Sequence, residues 1–347
     1  MSRRRTARGC GPHARLTAIV LVAVLAALPS ACAGEKGVSG SGGTVTPVAS
    51  SALAVPAPLA VDTGSNRIYV ASESPDAISV LDGTSNSVVA TLPAGLFPQA
   101  IAVDPSSNRI YVASRRSELW VIDGTTNSVD ASIALDHSPM ALATNPNSGR
   151  VYVADFEGTL SVIDAESNAV VATLSVGQNP VAMVVNPATN RIYVATYGSP
   201  EISVIDGESN TVVARVSVGE LPIAVALSPE TNRVYVADGA AGNVAVIDAS
   251  TNALIASVKL GGMPSSLALN PATERIYVAG ADVISVLDGA SNAVIATVAV
   301  GTTSRGLAVN AVTNRVYVAR SLTADVLVID GVTHAVIATV ALANAIE

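Results

Sequence analysis

Cysteine is scarce in this sequence: of 347 residues only Cys10 and Cys32 carry a thiol. No disulfide framework can be built from them, so the fold has to be held by packing. Histidine is nearly as rare, at three residues, which argues against a His-rich metal or haem centre, and no C-x-x-C-H run is present for covalent haem. No G-x-S-x-G elbow, P-loop or G-x-G-x-x-G appears in a strand-to-helix context, so the common nucleophile and nucleotide motifs are missing too. Positive charge is in deficit, with 19 Lys and Arg against 27 Asp and Glu. A surface of that sign repels phosphate backbones and anionic headgroups, which argues against nucleic acid as a partner. Long apolar runs are absent apart from "LTAIVLVAVLAAL" at Leu16–Leu28, whose 13 residues are too few to span a bilayer.

That short run sits between "MSRRRTARGCGPHAR" and the small-residue stretch "PSACAG", the three regions of an export signal over residues 1–31. Removing its five arginines leaves 14 cations against 27 acids, a net charge of −13. "LPSAC" resembles the lipobox of bacterial lipoproteins and makes Cys32 the expected lipidation site, anchoring the chain to a membrane. "ACA" also reads as an A-x-A cleavage site that would release a soluble chain from Gly34. Residues 32–56, with "GEKGVSGSGG", read as a flexible tether.

Half of the residues are hydrophobic, and beyond the tether they come as short runs punctuated by Gly, Pro, Asn and Asp. "YVA" begins at Tyr69, Tyr111, Tyr152, Tyr193, Tyr235, Tyr277 and Tyr317, at spacings of 40 to 42. Each unit holds four β-type runs, as in "SLALN", "RIYVAG", "ISVLDG" and "AVIATVAV" between Ser265 and Val300. Four strands per unit and seven units predict an all-β fold, a seven-bladed β-propeller over residues 57–347 with four antiparallel strands per blade. The ring is expected to close between whole blades and to work as a monomer; "TVTPVAS" at Thr44–Ser50 is the weaker source of a closing strand.

Antiparallel partners keep a constant sum of residue numbers, and this fixes the register. It sets Arg67 opposite Asp82, Arg109 opposite Asp123 and Arg275 opposite Asp288, although the loops inside these hairpins hold six, five and four residues. Arg150, Arg191, Arg233 and Arg315 face Asp164, Asp206, Asp248 and Asp330 in the same way. The pairing reads as a cross-strand ion pair on the rim, not as a charge relay. Asn86, Asn127, Asn168, Asn210, Asn252 and Asn292, with His334 in the last unit, follow as turn residues suited to a left-handed backbone.

With these units in view, "PVAMVVNPATNRIYVATYGSPEISVIDGESNTVVARVSVG" (Pro180–Gly219) resembles the YVTN-repeat β-propeller family, whose units read like "PxxIAVNPxTNRIYVAN…VSVIDGxTNTVVATIxVG". The resemblance covers about residues 57 to 342 and implies a seven-bladed propeller of the kind seen in surface-layer and exported bacterial proteins. It implies little about activity, because propellers host many functions. The residue after "YVA", often Asn in that family, is Ser72, Ser114, Asp155, Thr196, Asp238, Gly280 or Arg320 here, so loop conformations do not carry over.

Variation among units concentrates in the loops between strands two and three and in the connections between blades, which share one end of the ring. Apart from the seven repeat tyrosines, the aromatics beyond the signal are Phe97, Trp120, Phe156 and Tyr197, all between blades two and four. Arg115, Arg116 and His137 come from the same sector. An aromatic group flanked by charge is the expected binding site, for a protein or glycan of the cell envelope, with the chain acting as a binding or scaffold module. The alternative is a lactonase-like or metal-assisted hydrolase, with the loop acids Glu73, Asp76, Asp155, Glu157, Glu201, Glu220, Asp238, Asp282 and Asp325 around a cation such as Ca²⁺. The resemblance allows it, since some similar propellers are lactonases or quinoprotein dehydrogenases. No cofactor is expected on the binding-module reading.

Overall fold

A computed structural model of the protein describes residues 56–73, 76–93, 97–320 and 322–342. The export signal, Cys32, the tether up to residue 55 and "TVTPVAS" lie outside the described residues. The described chain forms twenty-eight strands and no helix, in seven four-stranded antiparallel sheets whose strands follow one another in sequence order. The blades span residues 56–93, 98–134, 139–175, 180–217, 222–259, 266–299 and 304–341. All described strands of the ring come from residues 56–341, and residues 50–347 cluster as one compact unit. The seven-bladed propeller is as the repeat predicts, with its first strand starting at Pro56.

Register follows the spacing rule: Arg67, Arg109, Arg150, Arg191, Arg233, Arg275 and Arg315 face their aspartates in all seven blades. The ion pair does not always follow. Arg150, Arg191 and Arg275 contact their own cross-strand aspartates. Arg67, Arg109, Arg233 and Arg315 instead donate to the carbonyls of Gly124, Ala165, Gly289 and Gly83, each on the next blade. The guanidinium therefore ties blades together as often as it ties strands.

Packing explains why the units are spelled so alike. Because side chains alternate along a strand, "RIYVA" sends Tyr and the final Ala to one face and Ile and Val to the other. The Tyr face of each blade meets the Ile/Val face of the next: Tyr69 and Ala71 pack with Ile110 and Val112, and Tyr193 and Ala195 with Val234 and Val236. There are seven such clusters among the described residues, one for each neighbouring pair of blades, and all seven tyrosines are fully buried. Both sheet faces are buried, so both must be apolar.

The ring closes between whole blades. Tyr317 and Ala319 of blade seven pack with Ile68 and Val70 of blade one, and the innermost strand of blade one lies beside those of blades two and seven. Asn310 donates to the Asn66 side chain at 2.7 Å, as Asn145, Asn186 and Asn270 do to Asn190, Asn232 and Asn314. Where the fifth innermost strand ends in Ser228, its partner on blade six is Glu274 and the bond is kept, at 2.8–2.9 Å.

Candidate functional site

Pro98 pairs with Ser114, and Ser114 in turn with Glu118, so the connection entering a blade and the loop between its second and third strands lie at the same end. Among the described residues a backbone bond joins the two in blades two to five. Arg115 N–H donates to the Phe97 carbonyl (3.1 Å), Phe156 to Ser138 (3.0 Å), Tyr197 to Asn179 (2.8 Å) and Gly239 to Leu221 (2.8 Å). These bonds hold the loop residues that the sequence singles out.

Phe97, Phe156 and Tyr197 are 44%, 47% and 42% exposed. None is sealed inside a blade interface. Phe97 also adopts φ 57°, a left-handed backbone that is rare for a bulky residue, and its N–H donates to Asp76 Oδ1 at 2.8 Å. Asn179, also at φ 57°, donates its N–H to the Phe156 carbonyl (3.1 Å) while its own carbonyl accepts from Tyr197. A single residue between blades three and four thus couples the two aromatics. Sequence reading passes over Asn179; the signal was an Asn before Pro180, the type that tolerates a left-handed backbone.

The other residues of the sector are distributed as follows. Arg116 is exposed and its N–H donates to Ser114 Oγ (3.3 Å), while Arg115 is half-buried beside Phe97. His137 is half exposed, with Nδ1 3.2 Å from Asp155 Oδ2. Trp120 lies within the third strand of blade two, opposite Val112 and Ser132. Its ring packs against the interface of blades one and two, and Nε1 donates to Glu118 at 3.0 Å. Trp120 therefore stiffens the floor below the loops. Phe97 with Arg115, and His137 with Asp155, Phe156, Asn179 and Tyr197, form two bonded groups on blades two to four.

Several of the loop acids are engaged by their own loops. Asp155 Oδ1 accepts from the Thr159 N–H (2.9 Å). Asp238, fully buried, accepts from four backbone N–H groups, those of Glu220, Leu221, Ala240 and Ala241. Asp325 forms a two-pronged pair with Nε and Nη2 of Arg320, whose remaining nitrogen, Nη1, donates to the Val300 carbonyl. In blades three and five the position after "YVA", read from sequence as a variable loop residue, is thus a buried organiser of its loop. No group of three or more His, Cys, Asp or Glu side chains gathers among the described residues.

Blade six departs from the rest. Gly280 and a four-residue loop replace the usual pairing with the incoming proline, and Gly280 N–H bonds the Val283 carbonyl instead (2.8 Å). A cleft of about 160 Å³ opens there between residues 260–264 and 280–283, lined by Met263, Pro264 and Val283. It holds none of the aromatics of blades two to four.

The opposite end carries the aspartate turns. Each repeat Asp accepts from backbone N–H groups of its turn, as Asp206 does from Glu208 (2.9 Å) and Ser209 (2.8 Å). These bonds, with the serine hydroxyls and Arg150 or Arg191, hold the Asp164 and Asp206 carboxyls down at about 2. The repeat tyrosines shift the other way, because burial penalises the phenolate.

No protein-family model matches the chain, and no curated protein matches it. Among solved structures, Kuenenia stuttgartiensis Hydrazine Synthase superposes with a TM-score of 0.74 at 17% identity, covering 84% of this chain and 99% of that one. At that identity the likeness shows the propeller fold alone.

Proposed function

We propose that this chain is an exported propeller of the YVTN-repeat type, tethered through a lipidated Cys32. In this role it is a binding or scaffold module that presents blades two to four to a protein or glycan of the cell envelope. The observation that carries the reading is the set of three aromatics, each close to half exposed, on loops whose backbones are pinned by hydrogen bonds. Pre-positioned aromatic side chains lose little entropy on binding, which is why such groups act as hot spots. Arg115, Arg116 and His137 add polar contacts at the margin, and the propeller fold suits a rigid presenting scaffold. Hydrazine synthase activity has no warrant in a 17% likeness.

The test compares residues 50–347 with a variant carrying Phe97→Ser, Phe156→Ser and Tyr197→Ser. Both are immobilised and challenged with envelope extract and with purified envelope glycans. Retention by the parent and loss by the variant, with equal circular dichroism, supports the site. Equal retention by both refutes it.

A further inference from the structure

The seven units serve as controls for one another, since a residue type that varies at an equivalent position is not demanded by the fold. On that criterion blade seven stands out. The three most exposed large hydrophobic residues described are Val332 (76%), Val312 (73%) and Leu322 (73%), and all belong to it; Val312 and Val332 sit on turns at the aspartate-turn end, Leu322 on the loop at the other end. At the turn occupied by Val312 the other units carry Gly64, Ser106, Asn147, Ala188, Glu230 and Ala272. At the turn of Val332 they carry Thr84, Thr125, Glu166, Glu208, Ser250 and Ala290.

The outermost strands extend the pattern. Each contains one bulged extra residue, seen as a register shift: Val89, Asp130, Val171, Val213, Ile255, Ile295 and Ile337. Asp130 shows that the fold accepts a charge there, yet the other six are Val or Ile and 45–53% exposed. Charge then divides the wall of the ring. The turn and outer strand of blades two to five carry Asp130, Glu166, Glu208 with Arg215, and Lys259 in turn. The same segments of blades six, seven and one, residues 289–299, 331–341 and 83–93, contain no Asp, Glu, Lys or Arg. These three blades are contiguous across the ring closure.

We infer that the wall formed by blades six, seven and one is a self-association surface that docks a second copy of this chain. A neutral apolar wall on a chain of net charge −13 after loss of the signal arginines offers no handle to a charged partner, and it is the one sector where two copies approach without like-charge repulsion at the contact. A strand of six or seven residues is about 20 Å long, and three blades at roughly 10 Å spacing span at least about 20 Å, so each copy buries at least about 400 Å². The pair thus buries at least about 800 Å² in total, below the usual range of stable interfaces, so it is a weak, concentration-dependent dimer, in place of the monomeric ring that the repeat alone leads one to expect.

The test is sedimentation velocity on residues 50–347 from 1 to 300 µM, with the variant Val312→Ser, Val332→Glu, Ile337→Asp. Each replacement is a residue that a sibling blade carries at that position, so the fold tolerates it. The control is Val171→Asp with Val213→Asp, on blades three and four. The expected result is a reversible dimer for parent and control, and a dissociation constant at least tenfold weaker for the blade-seven variant. A parent that stays monomeric throughout, or a control that weakens as much as the variant, overturns the proposal. So does a monomeric parent that co-sediments with neutral phosphatidylcholine vesicles, which would make lipid the occupant of the wall.

Discussion

Raising the pH should unfold this ring in a single step, and the cause is the set of tyrosines between blades. Tyr69, Tyr111, Tyr152, Tyr193, Tyr235, Tyr277 and Tyr317 are fully buried, and burial raises each phenol above its ordinary value of 10.0. A raised folded value means that stability is fully present below the unfolded value and is lost as pH climbs from there towards the folded one. In that window the unfolded chain has released seven protons that the folded ring still holds. Each contributes about 1.4 kcal/mol per pH unit, so the seven together remove about 10 kcal/mol per unit. Domains are commonly stable by only 5–15 kcal/mol, so unfolding should be complete within about half to one and a half units of its onset. The assay records phenolate absorbance at 295 nm and far-ultraviolet circular dichroism on the same sample of a Tyr197→Phe variant, which leaves only the seven interface phenols, from pH 8 to 13. Seven phenols should ionise together with loss of the β signal. Stepwise phenolate formation with the sheet signal intact would refute the reasoning, because it would mean that water reaches the blade interfaces without unfolding.

Three further outcomes are expected. On the acid side, Asp164 and Asp206 contribute stability that is present above the ordinary carboxylate value of 3.8 and lost as pH falls towards about 2, so the melting temperature should fall across that window. Replacing both with Asn should flatten the fall. Val194→Asp places a carboxylate in the interface of blades three and four, where the side chain is fully buried, and should yield insoluble or unfolded protein. Val213→Asp, at the exposed bulge where blade two already has Asp130, should fold, as a melting curve will show. Asn310→Ala removes the side-chain bond across the ring closure and should cost about 1 kcal/mol in urea unfolding, as should Asn145→Ala at an interior interface. A much larger loss at Asn310 would mark the closure as the weak seam.

The fold was almost fully legible because the repeat supplies seven readings of one pattern: a constant residue-number sum gives the register even where loops differ in length. Side-chain choices were less so. The Arg of each second strand has two acceptors in reach, its own aspartate and a carbonyl of the next blade, and nothing within one unit decides between them. Trp120 reads from sequence as a residue at the start of a strand, where other units have Ser, and it does lie in the strand that starts at Glu118; what one unit does not reveal is that its ring packs against the interface with blade one. Asp155, Asp238 and Arg320 read as loop residues although they are the buried or paired anchors of those loops. Phe97, Phe156 and Tyr197 could be found because they break the repeat, whereas Asn179 gives only the weaker signal of an Asn before Pro180, a type that tolerates a left-handed backbone.

Departures from the repeat therefore fall in two sectors, and their placement links the two proposals. Blades two to four carry the exposed aromatics at one end of the ring, while the uncharged wall belongs to blades six, seven and one on the other side. A dimer through that wall leaves both aromatic sectors uncovered and gives one particle two sites. Against a polymer with repeated epitopes, the second contact becomes intramolecular and the apparent affinity rises, by roughly 10²–10⁴-fold where the span permits. Retention on immobilised polymeric envelope glycan should therefore fall in the Val312→Ser, Val332→Glu, Ile337→Asp variant, while its affinity for a short soluble fragment of the same glycan stays at the parent's value. Loss of both affinities together would place the wall within the binding site itself, and loss of neither would show that the two sectors act independently.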